Sequence, residues 1–279
     1  NLYKEIPEYK LQNYLMSLDE FKVIFWWEFI HRFLGRLIGI IFILPLIYFS
    51  LKLGFNKFKN LFIIFFLICF QGFVGWYMVA SGLVDRVDVS HYRLSFHLVL
   101  AFIILSLIFW NYLIYKGISH SEKKINFNLT ILFLLLIFLQ ISIGAFVSGM
   151  DAGKIYNSWP LMGSGYFPDD NSIGDLLNFE AFNDPSLVQF IHRNLAYLIF
   201  VFYLLILFVV YRNNFQSLYK ATKIIGFILI VQIVLGILTL LSSAQMIVSS
   251  MHQISSIFLV SSSVYLVYLN FNTNLQLSD

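Results

Sequence analysis

Seven stretches of about 20 residues, nearly free of charge, follow one another near 29–50, 60–80, 92–115, 127–149, 188–211, 222–242 and 248–270. An α-helix rising about 1.5 Å per residue needs roughly 20 apolar residues to cross the hydrocarbon of a bilayer, so each stretch predicts one transmembrane helix. No ten-residue alternation of apolar and polar positions recurs, which argues against a membrane β-barrel. Residues 1–22 carry Lys4, Glu5, Pro7, Glu8, Asp19 and Glu20 and read as a polar outer segment leading into an interfacial helix. No signal-peptide pattern precedes the first span, and no leader is expected there.

Composition strengthens this picture. Hydrophobic residues make up 59% of the 279 and charged residues 12%, against an apolar share of about 45–50% in soluble domains. The expected fold class is all-α integral membrane. The net charge of +3 gives no reason to expect nucleic acid, and the partner expected first is the lipid bilayer. What matters is where the charges fall, because Lys and Arg collect in cytoplasmic loops. Lys52, Lys57 and Lys59, then Lys116, Lys123 and Lys124, then Arg212, Lys220 and Lys223 occupy alternate connections, which are placed inside. The other connections hold Asp85, Arg86 and Asp88, or Asp151, Asp169, Asp170, Asp175, Glu180 and Asp184, and are placed outside. Cys69, the single cysteine, excludes an intramolecular disulfide and a CxxC motif and reads as a small packed residue.

The chain repeats itself. Phe29-Ile30-His31-Arg32 returns as Phe190-Ile191-His192-Arg193, and Gln71 with Gly75 follows His31 at the interval at which Gln232 with Gly236 follows His192. Each half then closes on a histidine near the start of its last helix, His97 or His252. Gln140 and Gly144 form a further Q-x3-G helix ahead of His192, with no counterpart ahead of His31. The repeat therefore predicts two pseudo-symmetric four-helix units in parallel orientation, with seven of eight transmembrane helices present and the first missing. The halves are drawn at 1–125 and 126–279, the second carrying an outer loop at 151–187. Residues four apart share a helix face, so the Gln and Gly pairs read as packing positions. The small residues Gly72, Gly75, Ser81 and Gly82, and Gly144, Ser148 and Gly149, equally suit clearing room for a flat macrocycle.

His31, His97, His192 and His252 each fall in the first turns of a long apolar segment, all at the outer end on the orientation above. One interfacial histidine serves as readily in a structural hydrogen bond as in ligation. Four at one depth in repeat-related positions point to cofactor ligation, since haem iron takes axial imidazole from facing helices. Zinc would want four converging ligands, typically with Cys or carboxylate, and no such local cluster exists. His91 and His120 read as solvated loop residues. Arg93 shares a face with His97, and Arg32 and Arg193 follow their histidines directly; all three are candidates for haem propionates or for snorkelling to headgroups. Glu28 lies three residues before His31, whereas Gln189 holds that place before His192. A carboxylate one turn from an axial ligand could take protons during an oxidation, or serve as an interfacial cap or ion-pair partner. The asymmetry suggests one reactive haem site and one electron-transfer site.

At these residues the chain resembles the haem A synthase family, in its mitochondrial and α-proteobacterial class. The resemblance spans nearly the whole sequence and rests on Glu20 to Arg36, Gln71 to Leu83, Tyr92 to Leu98, Asp151 to Met162 and Met251-His252-Gln253. It implies an eight-helix oxidoreductase that converts the C8 methyl of haem O to a formyl group by successive water-derived hydroxylations, for terminal oxidase biogenesis. It further implies that His192 and His252 hold a haem b cofactor, that His31 and His97 bracket the substrate haem O, and that Glu28 is the catalytic carboxylate. The 151–162 loop is then a cap over one haem edge. The family's first helix is absent here, and so are the paired outer-loop cysteines of its other class. The implied location is the bacterial inner membrane, or the mitochondrial inner membrane, with both haem sites on the periplasmic or intermembrane-space side. Candidate partners are an unidentified electron acceptor, haem O synthase and further copies of the chain. The alternative is a dihaem b-type cytochrome relaying electrons, for example from quinol, which leaves Glu28 without a task. A transporter is disfavoured because no charge sits near mid-membrane.

Overall fold

The computed structural model describes residues 2–5, 7–11, 13–82, 89–118 and 125–271. Asp85, Arg86, Asp88, His120, Lys123 and Lys124 lie outside the described residues. After a 3-10 turn at Leu2–Glu5 and a short helix α1 (Pro7–Leu11), seven long helices follow: α2 (Leu18–Leu53), α3 (Lys59–Gly82), α4 (His91–Tyr115), α5 (Phe127–Gly149), α6 (Pro185–Arg212), α7 (Gln216–Leu241) and α8 (Met246–Asn270). All seven are long and apolar enough to cross a membrane. Among the described residues there is no strand, only an isolated bridge between Met162 and Gly165. The chain is an all-α, multi-pass membrane protein.

Three local expectations need correction. The first long helix starts at Leu18 and not near 29, because Ser17 caps it: the Ser17 hydroxyl accepts from Glu20 N–H while the Glu20 carboxylate accepts from Ser17 N–H. That reciprocal box satisfies two otherwise orphaned donors and outweighs the polarity of Asp19, Glu20 and Lys22. His31 consequently lies well inside α2 and not in its first turns. His91 is not a loop residue but the first residue of α4, half-buried against the Tyr92 ring. Cys69 is exposed on α3 and does not fill a core.

The molecule divides into two compact units, residues 1–104 and 105–279, with the division inside α4. In the first unit α2 packs on α3, and α3 meets the early part of α4 where Phe70 stands edge-on to Phe96. In the second, α5 packs on α6, α6 on α7, α7 on α8 and α8 on α5, closing a ring of four helices. Its interior is filled by fully buried Phe133, Ile137, Ile206, Ile225 and Val260. Large apolar side chains elsewhere face outward, Phe227 at 70% exposure among them, which suits a surface solvated by lipid. At the end of α8, the buried Asn270 amide nitrogen donates to Ile125 O at 3.2 Å and Thr130 Oγ1 at 3.3 Å, so both of its N–H groups find acceptors inside the bundle.

Candidate functional site: histidines clasped by glutamine and glycine

Three of the four histidines are held in the same way. On α3, the Gln71 amide donates to His97 O at 2.9 Å and stands 3.3 Å from His97 Nε2. On α5, the Gln140 amide donates to His192 O at 3.1 Å and stands 3.2 Å from His192 Nε2. On α7, the Gln232 amide donates to His252 O at 3.2 Å. One turn further along each of these helices a glycine faces the ring edge. A Cβ built on Gly75, Gly144 or Gly236 would lie 2.9, 3.1 or 3.2 Å from Cε1 of His97, His192 or His252 respectively. The Q-x3-G positions thus do pack helices closely, as their spacing suggests, but what they pack against is the imidazole.

The rings are half-buried, and the Nδ1 atoms of His97, His192 and His252 are buried without a hydrogen-bond partner. A ring fixed at its edge with a nitrogen left unpartnered is a group prepared to bind something, because a buried polar atom otherwise carries a desolvation cost of about 1–3 kcal/mol. Within the first unit His31 lies in range of the charge of His97, and within the second His252 lies in range of that of His192. His31 itself is exposed. His31 and His97 thus fall within one unit, and His192 and His252 within the other. Among the described residues no three His, Cys, Asp or Glu side chains converge as a protein-only metal centre requires. Paired imidazoles with spare nitrogens fit a haem iron, which brings its other four ligands with it.

The neighbours of the two pairs differ. In the first unit the Glu28 carboxylate pairs with Arg32, and both side chains are more than half exposed, at 58% and 54%. The described residues thus leave the Glu28 carboxylate open and do not enclose it in an apolar pocket. Arg93 lies over the Tyr77 ring at 5.0 Å. In the second unit Gln189 is buried, donating to Ala152 O at 2.9 Å and Tyr156 O at 3.2 Å, and its Oε1 accepts from Arg193 at 3.1 Å. Arg193 also donates to Tyr156 O and Ser158 O, each at 3.0 Å. The same two positions of the repeat, one turn apart, make an ion pair in one unit and a loop anchor in the other.

That anchor holds the long connection between α5 and α6 over the end of the second unit. Asn157 reaches across to Leu240 O on α7 at 2.9 Å, Trp159 Nε1 donates to Tyr197 OH at 3.0 Å, and Tyr166 OH donates to Asn194 Oδ1 at 2.6 Å. Met162 is fully buried, and Tyr166 and Phe167 stand edge-on to Phe190. Further along, the Tyr156 and Ser186 hydroxyls donate to the two oxygens of Asp170 at 2.8 and 2.7 Å. The loop is a cap on the end of the bundle where His192 and His252 lie. Sequence reasoning missed Gln189 and Arg193 as its tethers; the i, i+4 spacing was visible, but the carbonyls they serve were not.

Fold and site together define a multi-pass helical membrane protein with paired, helix-clasped imidazoles. The comparisons agree with that class: residues 1–264 match the model of the COX15-CtaA family, cytochrome oxidase assembly protein. Similar curated proteins named heme A synthase come from Pelagibacter ubique (48% identical, covering 97% of this chain and 80% of the relative), Rickettsia bellii (41%, covering 93% and 79%) and Rickettsia felis (38%, covering 96% and 81%). No solved structure matches the chain. This chain belongs to the COX15-CtaA family.

Proposed function

We propose that this chain is a haem A synthase of the inner membrane, oxidising the C8 methyl of haem O to a formyl group for terminal oxidase biogenesis. The observation that supports the reading is that His31 and His97 fall in one unit and His192 and His252 in the other, with Glu28 three residues before His31 where Gln189 holds the same place before His192. His192 and His252 would hold haem b, and His31 and His97 would bracket haem O as substrate. Bound haem b would supply one-electron redox chemistry to the second unit. Conversion of a methyl to a formyl group takes up one water and releases four protons and four electrons; the electrons go to an external electron acceptor, and the first unit must provide somewhere for the protons to go. Glu28, one turn from His31, is the group there with acceptor oxygens, and Arg32 fixes its carboxylate. Two successive hydroxylations give a gem-diol, and loss of water from it leaves the aldehyde. In the second unit the amide of Gln189 accepts no proton at neutral pH, and its work is to anchor the cap.

Arg93 and Arg32 are the proposed propionate contacts of the first unit, while Arg193 serves the cap and lies beside His192. The N-terminal half, 1–125, is the proposed substrate half and 126–279 the cofactor half, with both sites on the periplasmic side. A dihaem electron relay remains the competing reading. The deciding experiment is extraction of haems from membranes in which the chain is expressed with a haem O source. Haem A is expected. A purified protein holding haem but yielding only haem O would favour the relay. His192→Ala or His252→Ala should lose the haem b spectrum and His31→Ala should keep it; the opposite pattern would reverse the two halves.

A further inference from the structure

The three Gln–Gly pairs share a geometry that close packing alone does not demand. Each glutamine could satisfy its amide on its own helix or a neighbouring side chain, yet Gln71, Gln140 and Gln232 all donate to the main-chain oxygen of a histidine on the next helix in sequence. Each glycine four residues on meets the same atom of the same ring, Cε1. Gly72, on the α3 helix that also carries Gly75, has nothing within 4 Å of a built Cβ, so smallness on that helix is not general crowding. Two contacts one turn apart fix both the height of the histidine and the rotation of its ring.

We propose that Gln71 with Gly75, Gln140 with Gly144, and Gln232 with Gly236 are positioning pairs that set the orientation of His97, His192 and His252, the glutamine locking the backbone and the glycine admitting the ring edge. They do not touch the reacting atoms. His192 is the more firmly held of its pair, because Gln140 stands 3.2 Å from its ring nitrogen as well as bonding its carbonyl, whereas Gln232 bonds the carbonyl of His252. Alanine is the better helix former, so harm from Gly→Ala comes from the ring and not from the backbone. The built distances of 2.9, 3.1 and 3.2 Å rank the disturbance Gly75→Ala, then Gly144→Ala, then Gly236→Ala.

The test uses the full chain purified in detergent, with Gly72→Ala as control. The first readout needs no haem: diethylpyrocarbonate modification of each histidine, followed by peptide mass spectrometry. Gly75→Ala and Gln71→Leu should change the rate at His97 several-fold and leave His192 alone, and Gly144→Ala and Gln140→Leu should do the converse. The second rests on the haem reading: with haemin as probe, affinity at the second unit should fall about 10- to 100-fold in Gln140→Leu, less in Gln232→Leu, with a shifted low-spin resonance, as expected when a group orienting a metal ligand is lost. Unchanged modification rates in variants that melt like the parent would overturn the proposal. A parent that binds no haem would sink the functional reading instead, and the modification rates would still decide the positioning role.

Discussion

Replacing Glu28 by Gln separates catalysis from stability. The Glu28–Arg32 pair joins two side chains more than half exposed and four residues apart on one helix; pairs of that kind are worth about 0.3–0.5 kcal/mol. For a chain this size a loss of that order moves the melting temperature by no more than about 2 °C. If Glu28 takes protons from the reacting group, its removal costs about 100- to 10,000-fold in rate, which is roughly 3–5 kcal/mol of barrier. The two roles therefore differ by about an order of magnitude in free energy, and one variant measures both. Membranes expressing Glu28→Gln with a haem O source should accumulate haem O with haem A near background, while the purified variant keeps the second unit's haem spectrum and melts within about 2 °C of the parent. Glu28→Asp, which retains a carboxylate on a shorter arm, should recover part of the activity. Haem A at the parental level in Glu28→Gln, or equal loss in Glu28→Asp and Glu28→Gln, would refute the argument.

Two further outcomes follow from the cap. Gln189→Leu takes the side-chain donor from the buried carbonyl of Ala152 and leaves Tyr156 O to Arg193 alone, at about 1–3 kcal/mol for a group left unpaired; limited proteolysis should then cut within residues 151–183, and an uncut loop would contradict the tether. The cap should also open in acid. Hydrogen bonds from the Ser164 hydroxyl and N–H hold Asp169 below the usual carboxylate range. Partial burial pushes Asp170 up, but hydrogen bonds led by the Ser186 and Tyr156 hydroxyls outweigh it and bring the carboxyl down. Carboxyls depressed on folding stabilise the loop above their unfolded value near 3.9 and lose that contribution as pH falls through their lower folded values. Trp159 fluorescence should therefore hold steady down to about pH 4 and change below it, with Ser186→Ala moving the change upward; a transition near neutral pH would count against these carboxylates as the cause.

What the sequence made legible, and what it hid, divides along a physical line. Helix existence was plain because crossing a bilayer is a demand on length and polarity that each segment meets alone, as α5 does from Phe127 to Gly149. The start of α2 was misjudged because a bilayer argument counts charges, while Ser17 and Glu20 exchange hydrogen bonds that cap the helix regardless of its polar first turn. The histidines could be paired from the repeat, but the Gln–Gly face could not be assigned to them, since that depends on which neighbouring helix presents which turn. Glu28 and Gln189 show the limit best. Sequence comparison of the two halves marked the difference and read it only as a base present or absent. The structure adds the reason Gln suits the second unit: an irregular loop leaves its carbonyls without ladder partners, so a buried donor must come to them, and Gln189 with Arg193 supplies donors at Ala152, Tyr156 and Ser158. A glutamate at 189 would accept from Arg193 but donate to neither carbonyl. The carboxylate is thus barred from the capped site by the cap itself, and only the first unit, where position 28 carries no such burden, is free to place an acid beside its histidine.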